Sequence, residues 1–129
     1  MQSNKCSGLI VDILKATEFV TIVTSGELGP CLVGNWGDHL RVLWRQGDTI
    51  ILPARDYRQT EENLRQDPRI ALMAASPQIQ HMRGGQGCAL YGRGEIVTSG
   101  PIAETVKAKF PWARGALLIH VEEALTQHT

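Results

Sequence analysis

The chain has 129 residues, enough for a domain with a hydrophobic core of its own. Apolar residues make up 43% and charged residues 20%, and the 13 Lys+Arg balance the 13 Asp+Glu to a formal charge of zero. That balance argues against a nucleic-acid binder, which carries a basic surplus, and removes an electrostatic obstacle to self-association.

The opening MQSNKC lacks the basic-then-apolar pattern of a secretory leader, and no apolar run approaches the ~20 residues that cross a bilayer. Cys6, Cys31 and Cys88 are odd in number and form no C-x-x-C pair. A reduced, cytoplasmic setting with no membrane and no nucleic-acid partner is the expectation. No linker, repeat or low-complexity segment interrupts the chain, so 1–129 reads as one domain.

The first element reads as a helix: Leu9, Ile10, Ile13 and Leu14 share one face after Ser7, a suitable N-cap. FVTIVT (19–24) is rich in β-branched residues and reads as a strand. SGELGP is turn chemistry, and CLVGNW (31–36) returns as the second strand of a hairpin. Gly34 inside it signals a bulge or a close approach to the backbone. LRVLW (40–44) alternates and reads as a strand, turned by RQGD into TIILP (49–53). RIALMAA (69–75) is a buried-looking strand, SPQIQHMRGGQG a loop, and CALYGRGEIVT (88–98) a long strand curved at its glycines. Pro101 opens a helix with Ile102, Val106 and Phe110 inward, and ALLIHV (116–121) is the last strand. About seven strands on short turns with two or three helices favour a small antiparallel barrel with peripheral helices.

LPARDYRQTEENL (52–64) carries two readings. In one, Asp56 is an N-cap and Gln59, three residues on, completes a capping box. In the other, the first-turn N–H groups, the Thr60 hydroxyl and the guanidinium groups of Arg55 and Arg58 converge on a phosphate. Glu61 and Glu62 oppose the second reading unless they turn away from the anion. Trp36 and Trp112 sit beside irregular backbone and suit stacking on a flat ring, whereas Trp44 reads as core. His39, His81, His120 and His128 have no metal-ligand spacing; His120 reads as a half-buried strand residue, and Cys31 and Cys88 as small core residues. RGGQG does not open a helix after a strand, so no dinucleotide fingerprint is supported.

TSGELGPCLVGNW, ILPARDYRQTEENLRQDPRIAL, YGRGE and FPWARGALLIHV, taken together over 18–121, resemble the FMN-binding split-barrel superfamily, whose enzymes include pyridoxamine 5'-phosphate oxidase. Within it, the chain looks like the small FMN-binding proteins of sulfate-reducing bacteria. The resemblance implies a six-stranded antiparallel split β-barrel that pairs as a homodimer with FMN near the subunit interface. It implies flavin contacts from Asn35 and Trp36, backbone contacts from Val33 and Gly34, and a ring lying along Pro53 and Ala54 beside Trp112. Gln59 and Thr60 would meet the phosphate. The family relative has a lysine in place of Gln59, glycines in place of Arg55 and Asp56, and an aromatic residue in place of His39; Arg55 or Arg58 then becomes the candidate cation. The implied function is a non-covalent FMN flavoprotein in electron transfer, with a redox partner protein, or a small FMN-dependent oxidoreductase. The alternative is a module that stores FMN or binds haem or a deazaflavin without turnover. No residue stands out as catalytic, and His39 is the one titratable candidate near the ring.

Overall fold

The structure is a computed structural model that describes Cys6 and residues 8–43, 45–79 and 85–127. Helix α1 (Leu9–Ala16) buries Ile10, Ile13 and Leu14, as its periodicity predicts. Its N-cap is Gly8; Ser7 lies outside the described residues. Strands β1 (Phe19–Gly26) and β2 (Gly29–Trp36) form the expected hairpin.

Segment 40–44 is where the fold departs from the sequence reading. Gly37–Leu43 is a helix, α2, not a strand. Alternation would put Leu40 and Val42 on one face, but Leu40 is buried and Val42 exposed. Buried Gly37 and Leu40 fall three apart, the helical spacing. Arg41 anchors the helix: it pairs with Asp38 at 2.6 Å and donates to the Lys15 and Thr17 carbonyls, each at 2.8 Å, which end α1. Trp44 lies outside the described residues.

After a two-residue strand β3 (Arg45–Gln46) come β4 (Thr49–Ala54), α3 (Arg58–Gln66), β5 (Arg69–Ser76), β6 (Gln86–Val97), α4 (Pro101–Lys109) and β7 (Gly115–Gln127). One antiparallel sheet in the order β2-β1-β5-β6-β7-β4-β3 curls into the split barrel, with six strands of substance and β3 as a short edge. The register of β6 and β7 shifts between Tyr91 and Gly92. A Cβ at Gly92 would sit 2.0 Å from the His120 carbonyl oxygen, so glycine is required where these strands bend. β5 does not read as fully buried: Ile70, Leu72 and Ala74 face inward, while Arg69, Met73 and Ala75 face out.

Two cores share the sheet. Ile22, Leu52, Leu72, Leu90, Leu117 and Ile119 fill the barrel interior with α1 and Leu64 of α3. Ile51, Ala116 and Leu118 on the other face pack beneath Val106 of α4. β4 is therefore buried on both faces, and its end near Pro53 is held rigidly. Among the described residues no helix is long and apolar enough to cross a membrane.

Candidate functional site

The end of β2, the start of α2, the end of β4 and the turn after α4 enclose a cleft of about 500 Å³. Gly34, Asn35 and Pro53 form its backbone floor. Phe19 and Trp36 stand on one side, and His39 and Trp112 belong to the aromatic group on another. Arg55, Asp56 and Tyr57 close the rim. Phe19 meets Trp36 edge-on at 5.3 Å, and His39 packs on Phe110 and Trp112 at 4.9 and 5.4 Å. Exposed aromatic faces around a polar floor suit a flat ring.

Gly34 is not a bulge, since the β1–β2 register runs through it unbroken. The close approach it signals comes from within the chain: a Cβ there would lie 2.0 Å from Phe19 Cζ. Glycine lets the Phe19 ring cover the floor strand.

Asn35 is the polar centre of the floor and is 8% exposed. Its Nδ2 donates to the Pro53 carbonyl at 3.1 Å and to Tyr57 Oη at 3.0 Å. Its Oδ1 accepts from the Trp36 N–H at 2.8 Å and meets His39 Nδ1 at 2.9 Å. Tyr57, which the sequence does not mark, donates its hydroxyl to the Gly34 carbonyl at 2.6 Å. Burial pushes the Tyr57 phenol above its ordinary 10.0, with the Asn35 hydrogen bond opposing less strongly.

Tyr57 also corrects the expected cap. Asp56 is not the N-cap of α3 and no capping box forms. Tyr57 takes that position in a left-handed conformation, φ 54°, with no side-chain cap. A non-glycine residue there costs roughly 1–2 kcal/mol, offset here by the phenol's two hydrogen bonds. Asp56 is exposed, 3.8 Å from the Arg58 guanidinium.

The first turn of α3 keeps donors that the helix itself cannot use, on Arg58, Gln59 and Thr60. Thr60 is 1% exposed, and its Oγ1 is buried with no hydrogen-bond partner. Such orphans are rare, and each costs about 1–3 kcal/mol unless a ligand or water completes it. The two glutamates are engaged elsewhere. Arg114 reaches Glu61 at 2.9 Å and donates to the Asp56 carbonyl at 3.0 and 2.6 Å, and Arg65 pairs with both Glu61 and Glu62 at 3.3 Å. Arg114, which lies in the FPWARGALLIHV segment but has no role implied by the resemblance, clamps the loop before α3 to the start of β7.

The remaining candidates divide. Arg55 is exposed on the cleft rim and has no ion pair among the described residues. Arg58 is exposed on the first turn, outside the cleft lining. Gln59 donates to Asn63 at 2.9 Å and faces a separate cleft of about 600 Å³ bounded by Ser25 and Glu27. Val33 packs against the barrel core and Ala54 is fully buried, so neither side chain reaches the cleft. His120 is half-buried as expected, bridging Thr49 and Glu95 at 2.9 Å each, and Cys88 is buried while Cys31 is partly exposed. His81 and His128 lie outside the described residues.

Tyr57→Phe removes two hydrogen bonds and is expected to cost about 1–2 kcal/mol of stability near neutral pH. With its phenol raised by burial, folded Tyr57 holds its proton more tightly than the unfolded chain, whose tyrosine ionises from 10.0 upward. The wild type therefore loses stability as pH rises past 10.0 more steeply than Tyr57→Phe. Urea unfolding of both proteins on either side of that pH measures the difference, and parallel profiles would contradict the buried-phenol account.

Three comparisons place this geometry among known proteins. The chain is 36% identical over 118 residues to the FMN-binding protein of Nitratidesulfovibrio vulgaris (strain DSM 19637 / Miyazaki F), spanning 91% of this chain and 94% of that protein. Among solved structures, HupZ of Group A Streptococcus is similar with TM-score 0.76 at 18% identity, covering 95% of each chain. A putative pyridoxamine 5'-phosphate oxidase of Lactobacillus delbrueckii is similar with TM-score 0.71 at 18% identity, covering 97% of each. At those identities the two structures speak for the fold. Residues 8–127 match the sequence profile of pyridoxamine 5'-phosphate oxidase, and the chain belongs to that family.

Proposed function

We propose that the chain is a flavoprotein that holds FMN non-covalently in the Asn35-centred cleft and works in electron transfer with a redox partner protein. One observation carries the reading: the aromatic-walled cleft and the buried, unpartnered Thr60 hydroxyl lie within one helical turn of a shared rim residue, Tyr57. FMN has a flat ring at one end and a phosphate at the other. Trp36 and Trp112 offer faces to the ring, and Asn35, Pro53 and Gly34 hold the floor beneath it. The first-turn N–H groups of α3 and Thr60 Oγ1 are the phosphate donors, assisted by the positive end of the helix. Arg55 on the rim is the candidate cation for the phosphate, with Arg58 beside it. The FMN-binding relative in Nitratidesulfovibrio vulgaris supports the same ligand. FMN supplies the redox chemistry; this chain binds it, orients it and shields one side from water.

The proposal extends to a homodimer. On the outer face of the sheet, Leu32, Val23, Ala71 and Tyr91 form one cross-strand row, and Thr21, Met73, Ala89 and Leu125 the next. Leu32 is 65% and Met73 49% exposed, a contiguous apolar surface rather than scattered residues. Phe19 and Trp36 stand on the same face, so a second copy seated there would close the open side of the cleft.

Thr60→Val keeps the side-chain shape and removes only the hydroxyl. It is expected to weaken FMN roughly tenfold to a hundredfold, leave riboflavin nearly unchanged, and leave the ligand-free protein as stable or more so. Equal losses for both ligands in titration would overturn the phosphate assignment. Sedimentation velocity is expected to find a two-chain species that Met73→Glu splits; a wild-type monomer would rule the dimer out.

A further inference from the structure

The His39 ring is fixed on three sides: by Phe110, by Trp112 and by the Asn35 amide. The direction of its hydrogen bond to Asn35 follows from the neighbours. A peptide N–H only donates, and that of Trp36 points at Asn35 Oδ1. A carbonyl only accepts, and that of Pro53 faces Asn35 Nδ2. These two partners settle which end of the amide is oxygen. Since an amide oxygen has no proton to give, His39 Nδ1 is the donor. Neutral His39 thus carries its proton on Nδ1 and a bare lone pair on Nε2. Nε2 has no hydrogen-bond partner among the described residues, and the ring lines the cleft.

We propose that His39 Nε2 is the ring-edge acceptor of this cleft, taking a hydrogen bond from a ring N–H of the bound ligand. The proposal rests on the FMN reading and deepens it. The oxidised flavin ring has one N–H, at N3; two-electron reduction adds another at N5. The carbonyl oxygens and bare ring nitrogens along the same edge repel a bare acceptor, so His39 selects the orientation that brings an N–H to it. Asn35 acts through His39 as a positioning residue: it holds the tautomer and touches no ring atom in this role. A side chain bearing only donors would reverse the choice, which makes His39 a determinant of how the ring sits and not only of how tightly.

Nitrogen NMR of ¹⁵N-histidine-labelled protein tests the first step without turnover, with His39→Phe assigning the resonances. At about pH 9, above the usual histidine range, ligand-free protein is expected to show His39 protonated at Nδ1 and bare at Nε2. Adding FMN is expected to shift Nε2 toward hydrogen-bonded values and leave Nδ1 in place, in the oxidised state if the donor is N3–H and only after reduction if it is the N–H gained there. His39→Phe retains ring packing on Phe110 and Trp112 and removes the acceptor. If the donor is N3–H, this variant binds oxidised FMN roughly tenfold more weakly. If the donor is the N–H gained on reduction, oxidised affinity holds and the midpoint potential falls, because the reduced state alone loses a bond. Either result supports the proposal. An Nε2-protonated tautomer in the ligand-free protein overturns it. So does an Nε2 resonance that both oxidised and reduced FMN leave unmoved, with affinity and potential unchanged in His39→Phe. Wild-type protein that takes up no FMN would instead overturn the flavin reading, so the two failures are distinguishable.

Discussion

The carboxamide of Asn35 ties together four parts of the chain that local sequence keeps apart. It joins the end of β2, the first turn of α2, the buried end of β4 and the residue that caps α3. The amide's two donors and its oxygen are all used in a site 8% exposed. An aspartate would lose both donations and a leucine all four contacts, in each case leaving buried partners unsatisfied. The floor of the cleft, the tautomer of His39 and the strained backbone at Tyr57 all depend on this one group.

Electrostatics at the helix end follow from a second clamp. Arg114 leaves the turn after α4 that also carries Trp112, and it holds the Asp56 carbonyl and Glu61 together. Glu61 is largely shielded from water, so this pair is less screened than the exposed pairs that Arg58 and Arg69 form. By occupying Glu61, Arg114 turns negative charge away from the N-terminus of α3, where Thr60 keeps an unused hydroxyl. The same turn thus supplies an aromatic wall and draws negative charge away from the neighbouring helix end.

Strands were legible where β-branched or apolar runs ended in turn residues: 19–24, 31–36 and 49–53 all form, within longer elements, the last of them buried on both faces. Segment 40–44 was not, because apolar residues at 40, 42, 43 and 44 satisfy both periods. Tertiary packing of Gly37 and Leu40 selects the helix. The cap of α3 was misread for a related reason: Asp56 has the right chemistry, but the phenol of Tyr57 is anchored to residues 22 and 23 positions earlier. Of the residues that the resemblance names, Gly34, Asn35, Trp36, Pro53 and Trp112 line one cleft. The resemblance could not show that Val33 and Ala54 face the core, or that Arg114 frees the helix end, since those facts arise from side-chain direction and long-range contact.

The central claim is that this cleft holds FMN, and the most direct measurement is the absorption spectrum of the purified protein, with mass spectrometry of whatever denaturation releases. The account predicts flavin absorption bands, or their recovery on adding FMN to colourless protein, and a released species with the mass of FMN. A protein that stays colourless after FMN is added, or one that shows a haem Soret band in place of flavin bands, would contradict it.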